Sequence, residues 1–290
     1  MSAIVNVSAY RFVPLDDLER RRDTLQALAE ASDLRGTLLL SSEGINLFVA
    51  GTREGVDRFL AALRALAPFT DLETKESPAT IRPFRRLRVK VKREIIACGA
   101  PGIDPARDPA PRVSPEELRA WLDAGEDVIL LDTRNDYEVQ LGTFRRAQHL
   151  ALRTFRDLPE AVTRLPAAWQ AARVVTFCTG GIRCEKAAPL LRKAGFADVY
   201  QLDGGILRYF ERCGGAHYDG ECFVFDERVG LLPDLTPSGA TLCARCQRPI
   251  PRAEQAEPGG AAPAEGCRVC RAEPPATPQR SQRDTSENTW

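Results

Sequence analysis

From residue 113 to residue 213 segments of strand character alternate with segments of helix character, and this alternation constrains the fold more than any other feature of the chain. Asp127 to Leu131 reads as a buried strand that ends at Asp132, and Arg173-Val174-Val175-Thr176-Phe177 reads as another. Each precedes a helix-like stretch. Ser114-Pro115-Glu116-Glu117 carries the marks of a helix start: a capping hydroxyl, a first-turn proline and a glutamate three residues on. Strands that alternate with helices pair in parallel and lie between helical layers, because their side chains are apolar on both faces. In such sheets the ligand crevice lies outside the carboxyl ends of the strands. Cys178 follows one of those ends directly.

Residues 1–97 predict a smaller α+β domain. Ile4 to Phe12 is strand-like, and Leu15, Leu18, Leu25, Leu28 and Ala29 recur at helical spacing. Gly36 to Leu40 and Ile45 to Val49 flank the polar turn Ser41-Ser42-Glu43-Gly44, which signals a hairpin. Thr52 is placed to cap a second helix whose buried face holds Val56, Phe59, Leu60, Leu63 and Leu66. Two more strands are expected near 70–75 and 84–96. The order βαββαβ is that of a ferredoxin-like unit. Residues 98–112 hold four prolines and two glycines and predict a linker. The expected divisions are therefore 1–97, the linker 98–112, an α/β domain over 113–219, a Cys-rich module over 220–272, and a polar, Pro-rich, disordered tail over 273–290.

A chain of 290 residues is long enough for about two ordinary domains. Its 40 Lys and Arg balance 40 Asp and Glu, so only a local basic cluster can argue for a nucleic-acid partner. The N-terminus carries no basic, signal-like segment, and no apolar run approaches the roughly 20 residues of a membrane helix. A cytoplasmic protein without a membrane anchor is expected, and there disulfides are rare. The nine cysteines, eight of them at or beyond Cys178, then read as reactive thiols or metal ligands.

The chemistry is expected in the loop Cys178-Thr179-Gly180-Gly181-Ile182-Arg183, which ends at a helix starting near Cys184. Two glycines let successive N–H groups turn inward as an anion nest, and the helix N-terminus adds positive potential. A thiol placed there is shifted toward thiolate, and the same cradle can hold the terminal sulfur of a persulfide. Thr179, Gly180, Gly181, Ile182 and Arg183 form the expected cradle. Cys184 either resolves an oxidised Cys178 or packs at the helix start. Four residues separate Cys178 from Arg183, where cysteine phosphatases usually have five; the smaller loop suits one sulfur better than a phosphate. His149 and His217, the only histidines, read as ordinary rather than catalytic residues.

CTGGIRCEK, Cys178 to Lys186, resembles the signature of the bacterial rhodanese-related tRNA uridine hydroxylases. Leu131 to Glu138 resembles the early rhodanese motif, in which an acidic residue and an arginine follow a strand. Leu202-Asp203-Gly204-Gly205-Ile206 resembles the late Gly-Gly turn. Ser41 to Asn46 resembles that family's N-terminal motif, and Gly220 to Val229 its C-terminal extension. The likeness covers roughly residues 3–250. It implies oxygen-dependent hydroxylation of the wobble uridine of certain tRNAs to 5-hydroxyuridine, with molecular oxygen as co-substrate, tRNA as partner and Cys178 as active cysteine. No flavin fingerprint, haem motif or iron-binding triad is evident. A sulfurtransferase carrying a persulfide, and a non-catalytic tRNA-binding module of the same fold, are the alternatives.

Between Ile81 and Ile96 seven residues are Arg or Lys. Arg88, Lys90 and Lys92 alternate with Leu87, Val89 and Val91, so the cations share one strand face. With Arg85 and Arg86 before them, and Phe84 for stacking, they suit an RNA backbone, although a charged edge strand alone reads the same way. Cys243-x-x-Cys246 and Cys267-x-x-Cys270 have the spacing of a four-thiolate structural zinc site; free thiols are the alternative.

Overall fold

The computed structural model describes residues 4–79, 82–255 and 266–272. The chain divides into two compact units, Met1–Ala110 and Pro111–Trp290. The first contains β1 (Ile4–Phe12), α1 (Leu18–Ala31), β2 (Arg35–Ser41), β3 (Gly44–Thr52), α2 (Arg53–Arg64), β4 (Lys75–Ala79) and β5 (Leu87–Val91). Its sheet has the order β4-β1-β3-β2-β5. The first four strands are antiparallel in the ferredoxin-like order, and β5 adds a parallel edge strand beside β2. Gly44 closes the hairpin where a Cβ would stand 2.0 Å from the Arg11 carbonyl oxygen. Thr52 caps α2 by accepting a hydrogen bond from Gly55 N–H at 3.2 Å.

Strand periodicity sorts this sheet into two faces. Val7, Leu38, Leu40, Leu47 and Val49 pack against Leu25 and Ala29 of α1 and against Val56, Phe59 and Leu63 of α2. Tyr10, Phe48, Leu39, Arg88 and Lys90 stand one residue out of phase and share the opposite face. The fourth strand lies at 75–79 rather than near 70–75, because Phe69 and Leu72 are spent anchoring a turn into the core. The fifth is shorter than the expected 84–96. Beyond it, Glu94 accepts from the N–H groups of Cys98 and Gly99, and Glu43 and Asn46 hold the N–H and carbonyl of Ile95. The first unit continues through the Pro-rich stretch, where Cys98 is fully buried.

The second unit opens with β6 (Arg112–Val113), α3 (Pro115–Asp123), β7 (Val128–Asp132), α4 (Asp136–Val139), β8 (Gly142–Phe144), β9 (Gln148–His149) and α5 (Leu158–Thr163). β10 (Arg173–Phe177), α6 (Cys184–Lys193), β11 (Asp198–Leu202) and α7 (Gly205–Cys213) follow. The five-stranded sheet has the order β6-β11-β10-β7-β9 and is parallel throughout, as the alternation predicts. β10 is therefore central, and both its faces are buried. Val175 and Phe177 join Leu118, Ile206 and Tyr209 in one core layer, and Val174 and Thr176 turn to the other face. Ser114 Oγ caps α3 by accepting from Glu117 N–H at 3.1 Å.

β12 (Tyr218–Gly220) pairs antiparallel with β8. Phe144 of β8 meets Phe177, Tyr209 and Tyr218 edge-on at 5.0, 4.7 and 5.2 Å. The chain then forms two short hairpins, β13 (Cys222–Phe223) with β14 (Gly230–Leu231) and β15 (Thr241–Leu242) with β16 (Pro249–Ile250), and the last element among the described residues is α8 (Arg268–Ala272). The expected disordered tail over 273–290 lies outside the described residues, as does the Pro258–Pro263 insert between the CxxC pairs. Among the described residues no helix is long and apolar enough to cross a membrane.

Candidate active site

β10 delivers Cys178 to the carboxyl edge of the sheet, and α6 begins six residues later at Cys184. The turn between them needs Gly181 at φ 99°, a conformation that suits glycine. There the Gly181 N–H donates to Cys178 Sγ at 3.1 Å. The N-terminal turn of α7 closes on the same loop. Ile206 N–H donates to the Cys178 carbonyl at 2.9 Å and Leu207 N–H to the Thr179 carbonyl at 3.1 Å. Such an approach requires Gly205, where a Cβ would stand 2.4 Å from the Cys178 carbonyl oxygen. Just past the neighbouring strand β7, the Thr133 hydroxyl and N–H both donate to the Phe177 carbonyl at 3.0 Å. The loop is thus held from three sides.

Cys178 and Cys184 are both fully buried. Burial alone pushes the Cys178 thiol up. A hydrogen bond from the Cys184 thiol, the charge of Arg183 and the N–H groups of Arg183 and Gly181 outweigh it and bring the pKa down to about 5. Cys184 moves the other way: burial and the neighbouring Cys178 thiolate keep it protonated, well above an ordinary thiol. The loop thus carries one thiolate at its start and one thiol at its end. Cys184 Sγ also lies 3.8 Å from the Thr133 hydroxyl.

Arg183 does not offer its fork to the open loop. It makes a bidentate pair with Glu138, Nη1 to Oε2 at 2.5 Å and Nη2 to Oε1 at 2.7 Å, with both side chains buried. Glu138 is itself fixed by the Asn135 N–H at 3.0 Å. The guanidinium therefore acts on Cys178 through its field, and the donors at the sulfur are backbone amides. A second buried pair lies nearby: Arg134 Nη2 donates to Asp132 Oδ2 at 2.6 Å and to the Gly142 carbonyl at 2.7 Å. Asp132 also accepts from the Thr143 hydroxyl at 2.8 Å, which locks the end of β7 to β8.

The stretch after β12 leans on this loop. The Thr179 hydroxyl donates to the Phe223 carbonyl at 3.3 Å, so of the expected cradle this side chain is turned away from the sulfur. Phe223 packs edge-on with Tyr137 at 5.3 Å and with Phe225 at 4.9 Å, and the Arg183 guanidinium lies 5.7 Å from the Phe225 ring. Gly180 is half-buried and Ile182 buried within the loop. Glu138, Asp132, Arg134 and Phe225 were not singled out from the sequence as site residues. The motif Leu131 to Glu138 was the available signal, but which acid meets which arginine is decided by the packing of α4 against the loop.

The remaining candidates lie in other places. Arg88 and Lys90 are on β5, with Arg85 and Arg86 exposed just before it and Lys92 just after. Burial and the charges of Lys92, Arg88 and Arg86 lower the Lys90 pKa. The four cysteines of the CxxC pairs come together, their sulfurs all within 4.8 Å of one another. Cys243 and Cys270 stand at 3.9 Å, and Cys246 and Cys267 at 3.5 Å. The β15–β16 hairpin presents the first pair, closed by Cys243 N–H to the Arg248 carbonyl at 2.8 Å. His149 is exposed, and His217 Nε2 lies 2.6 Å from Asp123 Oδ1, away from the sulfurs.

A depressed thiol pKa means that the thiolate persists above the folded value and is lost as pH falls through it. The difference in ultraviolet thiolate absorbance between the wild type and Cys178→Ser should titrate with a midpoint near pH 5. A midpoint near that of a free thiol, about 8.5, would show that the loop does not stabilise the anion.

Residues 4–95 match the UPF0176 acylphosphatase-like domain and residues 114–211 the rhodanese-like domain. A protein named tRNA uridine(34) hydroxylase from Cupriavidus taiwanensis is 48% identical over 260 residues, covering 88% of this chain and 92% of that one. A protein of the same name from Bordetella petrii is 51% identical over 245 residues, covering 83% and 97%. Among solved structures, the rhodanese-like domain of an Anabaena protein covers 38% of this chain and 79% of that one at 23% identity, with a TM-score of 0.32. Identity at this level over nearly the whole length of both chains shows that the chain belongs to the tRNA uridine(34) hydroxylase family.

Proposed function

We propose that this chain hydroxylates the wobble uridine of tRNA to 5-hydroxyuridine, with molecular oxygen as co-substrate and Cys178 as its reactive sulfur. The observation that carries the reading is a stabilised thiolate in the loop of a chain whose near-full-length relatives bear the hydroxylase name. In this reading the amides of Gly181 and Arg183 hold the anionic sulfur, Gly180 and Ile182 shape the turn, and Thr179 ties the loop to the segment that follows β12. Arg183 keeps the sulfur ionised while Glu138 fixes the guanidinium. A tRNA substrate supports a cytoplasmic location.

Arg85, Arg86, Arg88, Lys90 and Lys92 form the RNA platform. Support comes from the sheet register, which sets Arg88 and Lys90 on the face turned away from the two helices, together with Tyr10 and Phe48. Cations contact phosphates there and rings offer stacking for unpaired bases.

Cys243, Cys246, Cys267 and Cys270 hold a structural zinc. Four thiolates at about 2.3 Å from a tetrahedral zinc stand roughly 3.8 Å apart. The distances of 3.9 and 3.5 Å fit that cage. Bound there, zinc would supply folding energy to a module with little core of its own.

Three measurements test these assignments. Mass spectrometry of wobble nucleosides should show 5-hydroxyuridine lost on deletion and not restored by Cys178→Ser. An unchanged profile, together with thiosulfate–cyanide sulfur transfer, would move the site to the sulfurtransferase reading. Replacing Arg88, Lys90 and Lys92 together should weaken tRNA binding and flatten its salt dependence by roughly 2–3 in log–log slope; an unchanged slope removes the platform. The purified full chain should carry one equivalent of zinc, and chelation should lower its melting temperature. A metal-free chain with the four thiols reduced would overturn the zinc assignment.

A further inference from the structure

One row of the sheet face turned away from α1 and α2 combines features that a merely charged surface does not need. In the pairing register Lys75 of β4 stands beside Ser8 of β1, Ser8 beside Phe48 of β3, Phe48 beside Thr37 of β2, and Thr37 beside Arg88 of β5. The row spans roughly 19 Å over four strand spacings, with a cation at each end, a ring at the centre and a short hydroxyl side chain on either side of it. The next row holds Tyr10 and Lys90, and the Lys75 ammonium lies 5.8 Å from the centre of the Tyr10 ring. None of the paired positions on this face is Asp or Glu.

Phe48 is the exception in its strand. β3 is the middle strand in the order β4-β1-β3-β2-β5, and from Gly44 to Gly51 every residue but Phe48 is buried. Among the described residues its ring meets no other ring and no cation. A large apolar ring left partly open at the centre of a sheet forfeits stabilisation that full burial would give. A flat ligand laid on the ring recovers it.

We infer that Phe48 stacks an unpaired base of the anticodon loop, with Lys75 and Arg88 holding phosphates on either side. The inference rests on the tRNA reading above and assigns the occupant of the platform. Cations by themselves attract any nucleic-acid backbone, paired or unpaired. The ring discriminates, because a base inside a duplex is already stacked on its neighbours, whereas an unpaired base offers its π-face to an aromatic side chain. Ser8 and Thr37 are short enough to leave space beside the ring, and the lack of carboxylates removes repulsion from the phosphates. Of the unpaired parts of a tRNA, the anticodon loop is the one that carries the wobble uridine and has to come to the protein for the reaction.

The test is binding of the full-length protein to two RNA probes, an anticodon stem-loop and a blunt duplex of equal length. Phe48→Ala should weaken binding of the stem-loop roughly 5- to 100-fold, the range for loss of one stacked base, and leave the duplex affinity unchanged. Its salt slope should also stay unchanged, since no phosphate contact is lost, whereas Lys75→Ala should lower the log–log slope by about 0.7. Phe48→Tyr, which keeps a ring, should bind as the wild type does. Full stem-loop affinity in Phe48→Ala, an equal loss on the duplex, or a weakened Phe48→Tyr would each overturn the inference. Phe48→Trp covers the case in which Phe48→Ala does not fold. Its emission above that of the wild type should be quenched by the stem-loop and not by the duplex, and emission that the stem-loop leaves unchanged would overturn the inference. A wild type that does not bind the stem-loop at all would instead sink the tRNA platform itself, and this inference with it.

Discussion

The ion pair between Glu138 and Arg183 is the contact on which the site depends. Taking two charges out of water is costly, and their attraction offsets it only when the geometry is good and the remaining hydrogen bonds are made. Here the carboxylate and guanidinium meet through two short bonds, and the carboxylate accepts a third from Asn135. The pair joins α4, which follows β7, to the loop that follows β10. Because Arg183 is buried and fixed, its charge stands near Cys178 without the screening that an exposed side chain would suffer.

Around that pair, the loop is built by backbone rather than by side chains. The sulfur meets the amides of Gly181 and Arg183, and the carbonyls of Cys178 and Thr179 are taken by the first amides of α7. With the carbonyls turned toward α7 and the amides toward the sulfur, an anion is stabilised without any cationic side chain touching it. The two glycine turns of the sequence, one before α6 and one before α7, meet in this arrangement. Gly205 lets α7 approach, and Gly181 lets the chain curl back over the sulfur.

The two cysteine systems answer to different constraints. In the active loop two sulfurs are held in unequal protonation states within an α/β frame, one shifted toward thiolate and the other kept protonated. In the C-terminal module four sulfurs converge where few apolar side chains are available, Cys243, Ile250 and Cys267 being the buried members of that cluster. A small module of this kind needs a cross-link that its core cannot provide.

The sequence by itself determined the parallel sheet, the helix caps at Ser114 in the second unit and Thr52 in the first, the place of Cys178 at a strand end and the grouping of the CxxC pairs. These are local matters: period, caps, glycines and spacing act within a few residues. The strand expected near 70–75 failed because Phe69 and Leu72 were apolar for a different reason, anchoring a turn to a distant core. Only the tertiary structure decided that Arg183 faces Glu138, forty-five residues away in the chain, rather than the loop it closes. It also decided that Cys178 and Cys184 are both fully buried, and that the Phe225 ring lies near the Arg183 guanidinium. Pairing of buried charges and thiols is a property of elements brought together by packing, and no spacing within one segment encodes the partner.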